Sequence, residues 1–180
     1  MVHDRGPWIQ TFTGKQFFPL DPRPEDIDIY DIAHALSNTC RFNGHVKQFY
    51  SVAEHSVFVA LNVPVQYRLA ALMHDASEAY ICDLPRPIKH NVTGYAEAEH
   101  KVMAAIAEKF SFWFPLPVCV KQVDNRILFD EREQLMSTPP AKWDFEEEPL
   151  GVQLNAWQPQ AAEKAFLHVF YTLNERVHRV

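Results

Sequence analysis

The chain is short of cysteine, of positive charge and of long apolar runs, and each shortage removes a class of protein. Cys40, Cys82 and Cys119 make an odd number without paired spacing, so no disulfide framework is expected. Cys82 reads as a thiol buried at a helix end rather than a ligand or nucleophile. No stretch approaches the roughly 18 apolar residues of a membrane helix, and the N-terminus does not read as a signal peptide. The expected compartment is therefore the cytoplasm, with no membrane partner. Lys and Arg number 17 against 23 Asp and Glu, a net charge of −6. That balance speaks against a nucleic-acid polymer as partner, because phosphate-backbone binders carry positive patches. Repeats and low-complexity tracts are absent as well. What remains is 180 residues with 47% apolar content, enough for one compact domain with a real core.

The pattern predicts an all-α fold with a small N-terminal β-hairpin. Residues 1–22 hold the hairpin, Trp8 to Phe12 and Gln16 to Leu20 flanking a Thr13-Gly14-Lys15 turn. Residues 25–136 form a helical core, and 137–180 an irregular arm with a last helix to about His178. Within the core, Ser51 is placed to cap a helix through Asn62, with Glu54 completing a capping box. Further helices are expected over 94–110 and 118–136, separated by Pro115 and Pro117.

The run from Arg68 to Tyr80 places Leu69, Leu72, Met73, Ala76 and Tyr80 on one helical stripe. His74 and Asp75 sit at the edge of that stripe, and an ionised Asp there needs a cation or a hydrogen-bonded partner. Together with His55, nineteen positions upstream, and Asp124, they make a set of two imidazoles and two carboxylates. Such a set balances one divalent cation and leaves positions open for water and substrate. Glu78, one turn past His74, is placed to handle a proton. His34 reads as a core or supporting histidine. Asp130 is the alternative fourth ligand, though Glu131, Arg132 and Glu133 beside it suggest a solvated face. His90, His100, His168 and His178 have no partner at metal spacing.

The order His55, His74-Asp75, Asp124 resembles the HD-domain metal phosphohydrolase superfamily, in particular its short bacterial and phage deoxynucleotide hydrolases. The resemblance covers about residues 30 to 136. It implies an HD-type helical bundle whose metal ligands fall on His55, His74, Asp75 and Asp124, with Glu78 catalytic. It also implies that Asp83, in Asp-Leu-Pro-Arg-Pro, faces the sugar and the attacking water. Arg41, fourteen residues before His55, matches a phosphate-binding Arg, and Lys89 a phosphate-contacting Lys. His45, Lys47 and Arg86 extend that cationic rim, and Phe18 with Pro87 would wall a nucleobase pocket.

The activity so implied is metal-assisted hydrolysis of a deoxynucleotide, a deoxynucleoside triphosphate such as dATP ahead of a monophosphate. The cofactor expected is one divalent transition metal per subunit, zinc, cobalt, manganese or iron, with magnesium as a possible addition. A homo-oligomer is expected, because Phe112-Trp113-Phe114 with Trp143, Phe145 and Trp157 offer more apolar surface than one small domain hides. A helical interaction module with a structural metal is the non-enzymatic alternative.

Overall fold

The computed structural model describes residues 5–143 and 146–177, with side chains to residue 174. Phe145 and His178 lie outside the described residues. Two short strands, β1 (Ile9–Gln10) and β2 (Gln16–Phe17), pair antiparallel with Ile9 opposite Phe17. The turn between them closes on Gly14 at φ +85°, a conformation that glycine adopts without a Cβ penalty. Its tip is tied down by Asp31, whose carboxylate accepts the Thr13 backbone N–H at 2.6 Å and its hydroxyl at 3.0 Å.

Eight helices follow among the described residues: α1 (Ile29–Asn38), α2 (Val52–Leu61), α3 (Arg68–Leu72), α4 (Glu78–Ile81), α5 (Arg86–Lys89), α6 (Tyr95–Phe110), α7 (Val118–Leu135) and α8 (Pro159–Val177). None of them is long and apolar enough to cross a membrane. The centre is α2, which packs against α1, α3, α7 and α8. Its residues Val52, Ala53, Val57, Val59 and Ala60 are all buried, the mark of a helix that is apolar on every side. His55 is carried into the interior with them.

Ser51 caps α2 by accepting the Glu54 N–H, but Glu54 does not close the capping box. Its carboxylate turns instead to the irregular arm and accepts the backbone N–H groups of Asn155, Ala156 and Trp157 at 2.9, 2.9 and 2.6 Å. Asp130 does the same for Leu150, Gly151 and Val152 at 2.7, 2.8 and 2.9 Å. The solvated face expected around Asp130 is thus wrong. Asp130 and Glu131 are both buried, because the arm folds over that side of α7.

The single helix expected from Arg68 to Tyr80 is also corrected. It breaks between α3 and α4, where Ala76 N–H bonds to Met73 O and Glu78 N–H to Asp75 O, tighter turns than an α-helix makes. The reason is the His74 side chain, whose Nδ1 lies 2.8 Å from Ala71 O and takes the carbonyl that a continuing helix would use. One further expectation fails: Cys82 is exposed, at φ +64°. Of the aromatics read as surface for self-association, Phe112, Phe114 and Trp157 pack on the core and Trp113 is 66% exposed.

Candidate metal centre and its cleft

Three elements converge on one point: α2 with His55, the turn after α3 with His74 and Asp75, and α7 with Asp124. The two Nε2 atoms lie 3.2 Å apart. Asp124 Oδ1 is 3.2 Å from His55 Nε2 and 3.8 Å from His74 Nε2. Asp75 Oδ2 is 3.2 Å from His74 Nε2 and 3.8 Å from His55 Nε2. His55, His74 and Asp124 form the tight group, within 4.8 Å of one another, and Asp75 joins it from the edge. Donors about 2.1 Å from a tetrahedral ion stand about 3.4 Å apart, so the observed spacing suits a shared cation.

The second layer sets the chemistry of the first. Ala71 O can only accept, so His74 Nδ1 carries the proton it donates there. His55 Nδ1 donates at 2.6 Å to Oε1 of Glu131, a carboxylate with no exposure. Both imidazoles are therefore held with Nε2 turned toward the cluster, the arrangement that metal-ligating histidines use. Burial works against charge on His74, yet Asp75 and Asp124 outweigh it and hold the ring up to about 10. Burial opposes charge on Asp124 too, and the two imidazoles hold it well below the usual carboxylate range. The cluster attracts positive charge, and the donor set fits a divalent ion.

Glu131 was missed at the sequence level. Its Oε2 accepts from Arg41 Nε at 3.2 Å and Nη2 at 3.0 Å, so one buried carboxylate joins Arg41 to His55. Burial opposes its ionisation, and Arg41 and His55 overcome that. The signal was available in the spacing, since position 131 is two helical turns past Asp124 on the same face.

Beside the cluster lies a cleft of about 580 Å³. Asp75, Glu78, Asp83 and Asp124 line it with Arg41, Arg86, Pro87 and Lys89, as do Lys121 and Lys142, which the sequence reading had not assigned to the site, and Trp143, which it had read as surface for self-association. One wall is the 41–44 turn, where Phe42 and Asn43 hold left-handed backbone at φ 54° and 50°. Glu78 Oε2 is buried without a hydrogen-bond partner. Burial first, then Asp75 and Asp83, pushes its carboxyl well above the ordinary range. Burial also raises Asp83.

Three predicted substrate residues lie elsewhere. His45 and Lys47 line a separate groove with Arg132 and Met136, because the Gly44 turn directs the chain away from the cluster. Phe18 packs under the Arg5 guanidinium at 4.1 Å, and neighbouring Phe17 is buried against Tyr80 at 3.9 Å. His34 is neither ligand nor core; it stacks on Phe12 at 3.7 Å and meets Glu163 at 3.1 Å.

Fold and site together define an all-α protein whose buried central helix and its neighbours present a histidine–carboxylate centre able to hold a metal ion. The chain belongs to the family of the uncharacterized protein YfdR of Escherichia coli, with which it is 44% identical over 128 residues, 71% of this chain and 72% of YfdR. An uncharacterized protein of Rhodobacter capsulatus is 37% identical over 125 residues, 64% of each chain. No family model matches the chain.

Proposed function

We propose that this protein is a metal-dependent phosphohydrolase of the HD type that its motifs resemble, acting on deoxynucleoside triphosphates. The observation that carries the reading is the meeting of a preset cation site with an unbonded buried carboxyl, Glu78, beside a cation-walled cleft. A divalent ion held by His55, His74, Asp75 and Asp124 would polarise a phosphate oxygen and acidify water. Arg41, Arg86, Lys89, Lys121 and Lys142 offset the charge of the phosphate chain. Glu78 orients the water and exchanges its proton, and Asp83 assists. In the reaction, the water oxygen bonds to the α-phosphorus, the bond from phosphorus to O5′ breaks, and O5′ takes up a proton. The products are a deoxynucleoside and tripolyphosphate.

One observation favours a second reading. Arg41 already serves Glu131 through two nitrogens, which removes a cation from the count and suits a single phosphate; a 5′-deoxynucleotidase would then be the activity. Incubating the metal-loaded protein with deoxynucleoside mono- and triphosphates and resolving the products separates the two. Deoxynucleoside with tripolyphosphate is expected. Inorganic phosphate released from monophosphates at least as fast would replace the first reading by the second, and metal retention without turnover would leave a non-catalytic helical module.

A further inference from the structure

The groove that takes His45 and Lys47 away from the metal centre has a chemistry of its own. It encloses about 500 Å³ between the 44–47 turn and the chain that leaves α7, a size within the range of small-molecule sites. The Lys47 backbone N–H donates to Leu135 O at 2.8 Å, and Val46 packs on the buried Tyr50, Leu135 and Leu154, so the turn is fixed against the end of α7. Both walls are therefore held in place before any ligand arrives.

Carboxylates outnumber basic side chains in the chain, 23 to 17, yet none lines this groove among the described residues. Lys47, Arg132 and His45 do, with the hydroxyls of Ser137 and Thr138. Arg132 is the centre of the set. Its guanidinium carbon lies 4.7 Å from the Phe129 ring centroid and 5.1 Å from that of Trp143, so two aromatic rings hold this half-buried side chain. Arg5, Arg23 and Arg41 each meet a carboxylate, whereas none among the described residues pairs with Arg132 or Lys47. A planar fork held on aromatic rings with its N–H edge unmatched fits two oxygens of one oxyanion.

The same groove widens into a hollow of about 750 Å³ that shares Lys47, Arg132 and Trp143 and adds Lys142 with two carboxylates, Glu133 and Glu146. Charge is thus sorted along its length, an acid-free end for a phosphoryl group and an end whose carboxylates accept hydroxyl protons. We propose that this groove is a second small-molecule site, taking a hydroxylated phosphate monoester with its phosphate on Arg132 and Lys47 and its hydroxyls toward Glu133 and Glu146. The site stands whether or not the metal centre hydrolyses anything. Its acid-free end shares only Trp143 with the metal-side cleft among the described residues, so the two places are separable residue by residue.

Nuclear magnetic resonance of the isotope-labelled, metal-loaded protein tests the site through the amides of Val46, Lys47, Ser137 and Thr138. The protein is titrated at constant ionic strength with inorganic phosphate and, in a second arm, with the phosphonate isostere of glycerol phosphate, whose carbon–phosphorus bond resists hydrolysis. Both should shift those amides saturably, the phosphonate at least as tightly as phosphate. Arg132→Gln should weaken both roughly ten- to hundred-fold, the scale of lost hydrogen bonds to a charged group, and Lys47→Gln by a smaller factor. Arg86→Gln, in the metal-side cleft, should leave these shifts unchanged. Because Lys47 is exposed, its variant keeps the test sound if Arg132→Gln fails to fold. The site is overturned if the wild type shows no saturable shift, if the Lys47 and available Arg132 variants bind normally, or if Arg86→Gln is the variant that loses the shifts. Phosphate binding without phosphonate binding would leave a bare-anion site and overturn the ester.

Discussion

Buried carboxylates do two different things in this molecule, and the contrast separates its site from its scaffold. Glu54 and Asp130 each accept three successive backbone N–H groups from the arm. Their partners are fixed in the chain, so they close an irregular segment over the helices and have little capacity left for anything else. Asp124 and Glu131, with the half-buried Asp75 at the edge, face imidazole and guanidinium groups instead. The imidazoles carry a proton that titrates, and between their Nε2 atoms and the Asp75 and Asp124 oxygens a cation can take its place. Both sets avoid the cost of an unpaired buried charge. Only the second leaves Nε2 and carboxylate oxygens directed at a common point.

The contrast makes its largest demand on His74, whose Nε2 belongs to that point. His74→Ala should lose the bound metal and all hydrolysis together, read by elemental analysis and product assay on the same preparation. A full equivalent of metal retained in that variant would dissolve the distinction between the two sets. Glu78 comes next, as the one cleft carboxyl whose buried oxygen has no partner among the described residues. Glu78→Gln should keep the metal and lose about 10² to 10⁴ in rate, the range for a positioned acid or base. Near-normal turnover would remove it from the mechanism.

Asp130 tests the scaffold side. In Asp130→Asn one amide NH₂ group must face a backbone N–H, which breaks a charge-assisted bond and leaves a buried donor unmet, so stability should fall by about 2 to 3 kcal/mol. Chemical denaturation measures that loss, and metal stoichiometry should not move with it. Loss of metal in proportion to stability would mean that arm and centre act as one unit.

How much of this was legible in the sequence follows the same division. The caps and periodicity of α2, α6 and α7 gave their limits within a residue or two, because helix signals are local. The convergence of His55, His74, Asp75 and Asp124 was legible through motif order, since three short segments on neighbouring helices carry it. The break after α3 was not, because a side chain competing for Ala71 O leaves no mark in a run of good helix formers. Nor were the roles of Glu54 and Asp130, whose partners lie some twenty to a hundred residues away in backbone without periodicity. Arg41 was read for phosphate alone; its bond to Glu131 spans ninety positions.

The finest cut through the comparison is Glu131, which has features of both sets: no exposure, like a scaffold acid, yet bonded to a ligand histidine. If it belongs with the site, its charge strengthens His55 as a donor and fixes the ring with Nε2 inward. Glu131→Gln keeps a hydrogen-bond acceptor for His55 Nδ1 but loses the negative charge that faces Arg41. Metal affinity, measured by competition with a chelator of known strength, should fall roughly 10- to 100-fold, the usual cost of altering such a supporting partner. Glu131→Ala should fall further, because His55 then loses its acceptor as well. Unchanged metal affinity in a Glu131→Gln protein of reduced stability would assign Glu131 to the scaffold with Glu54 and Asp130, and would leave Ala71 O as the only support that presets a ligand ring.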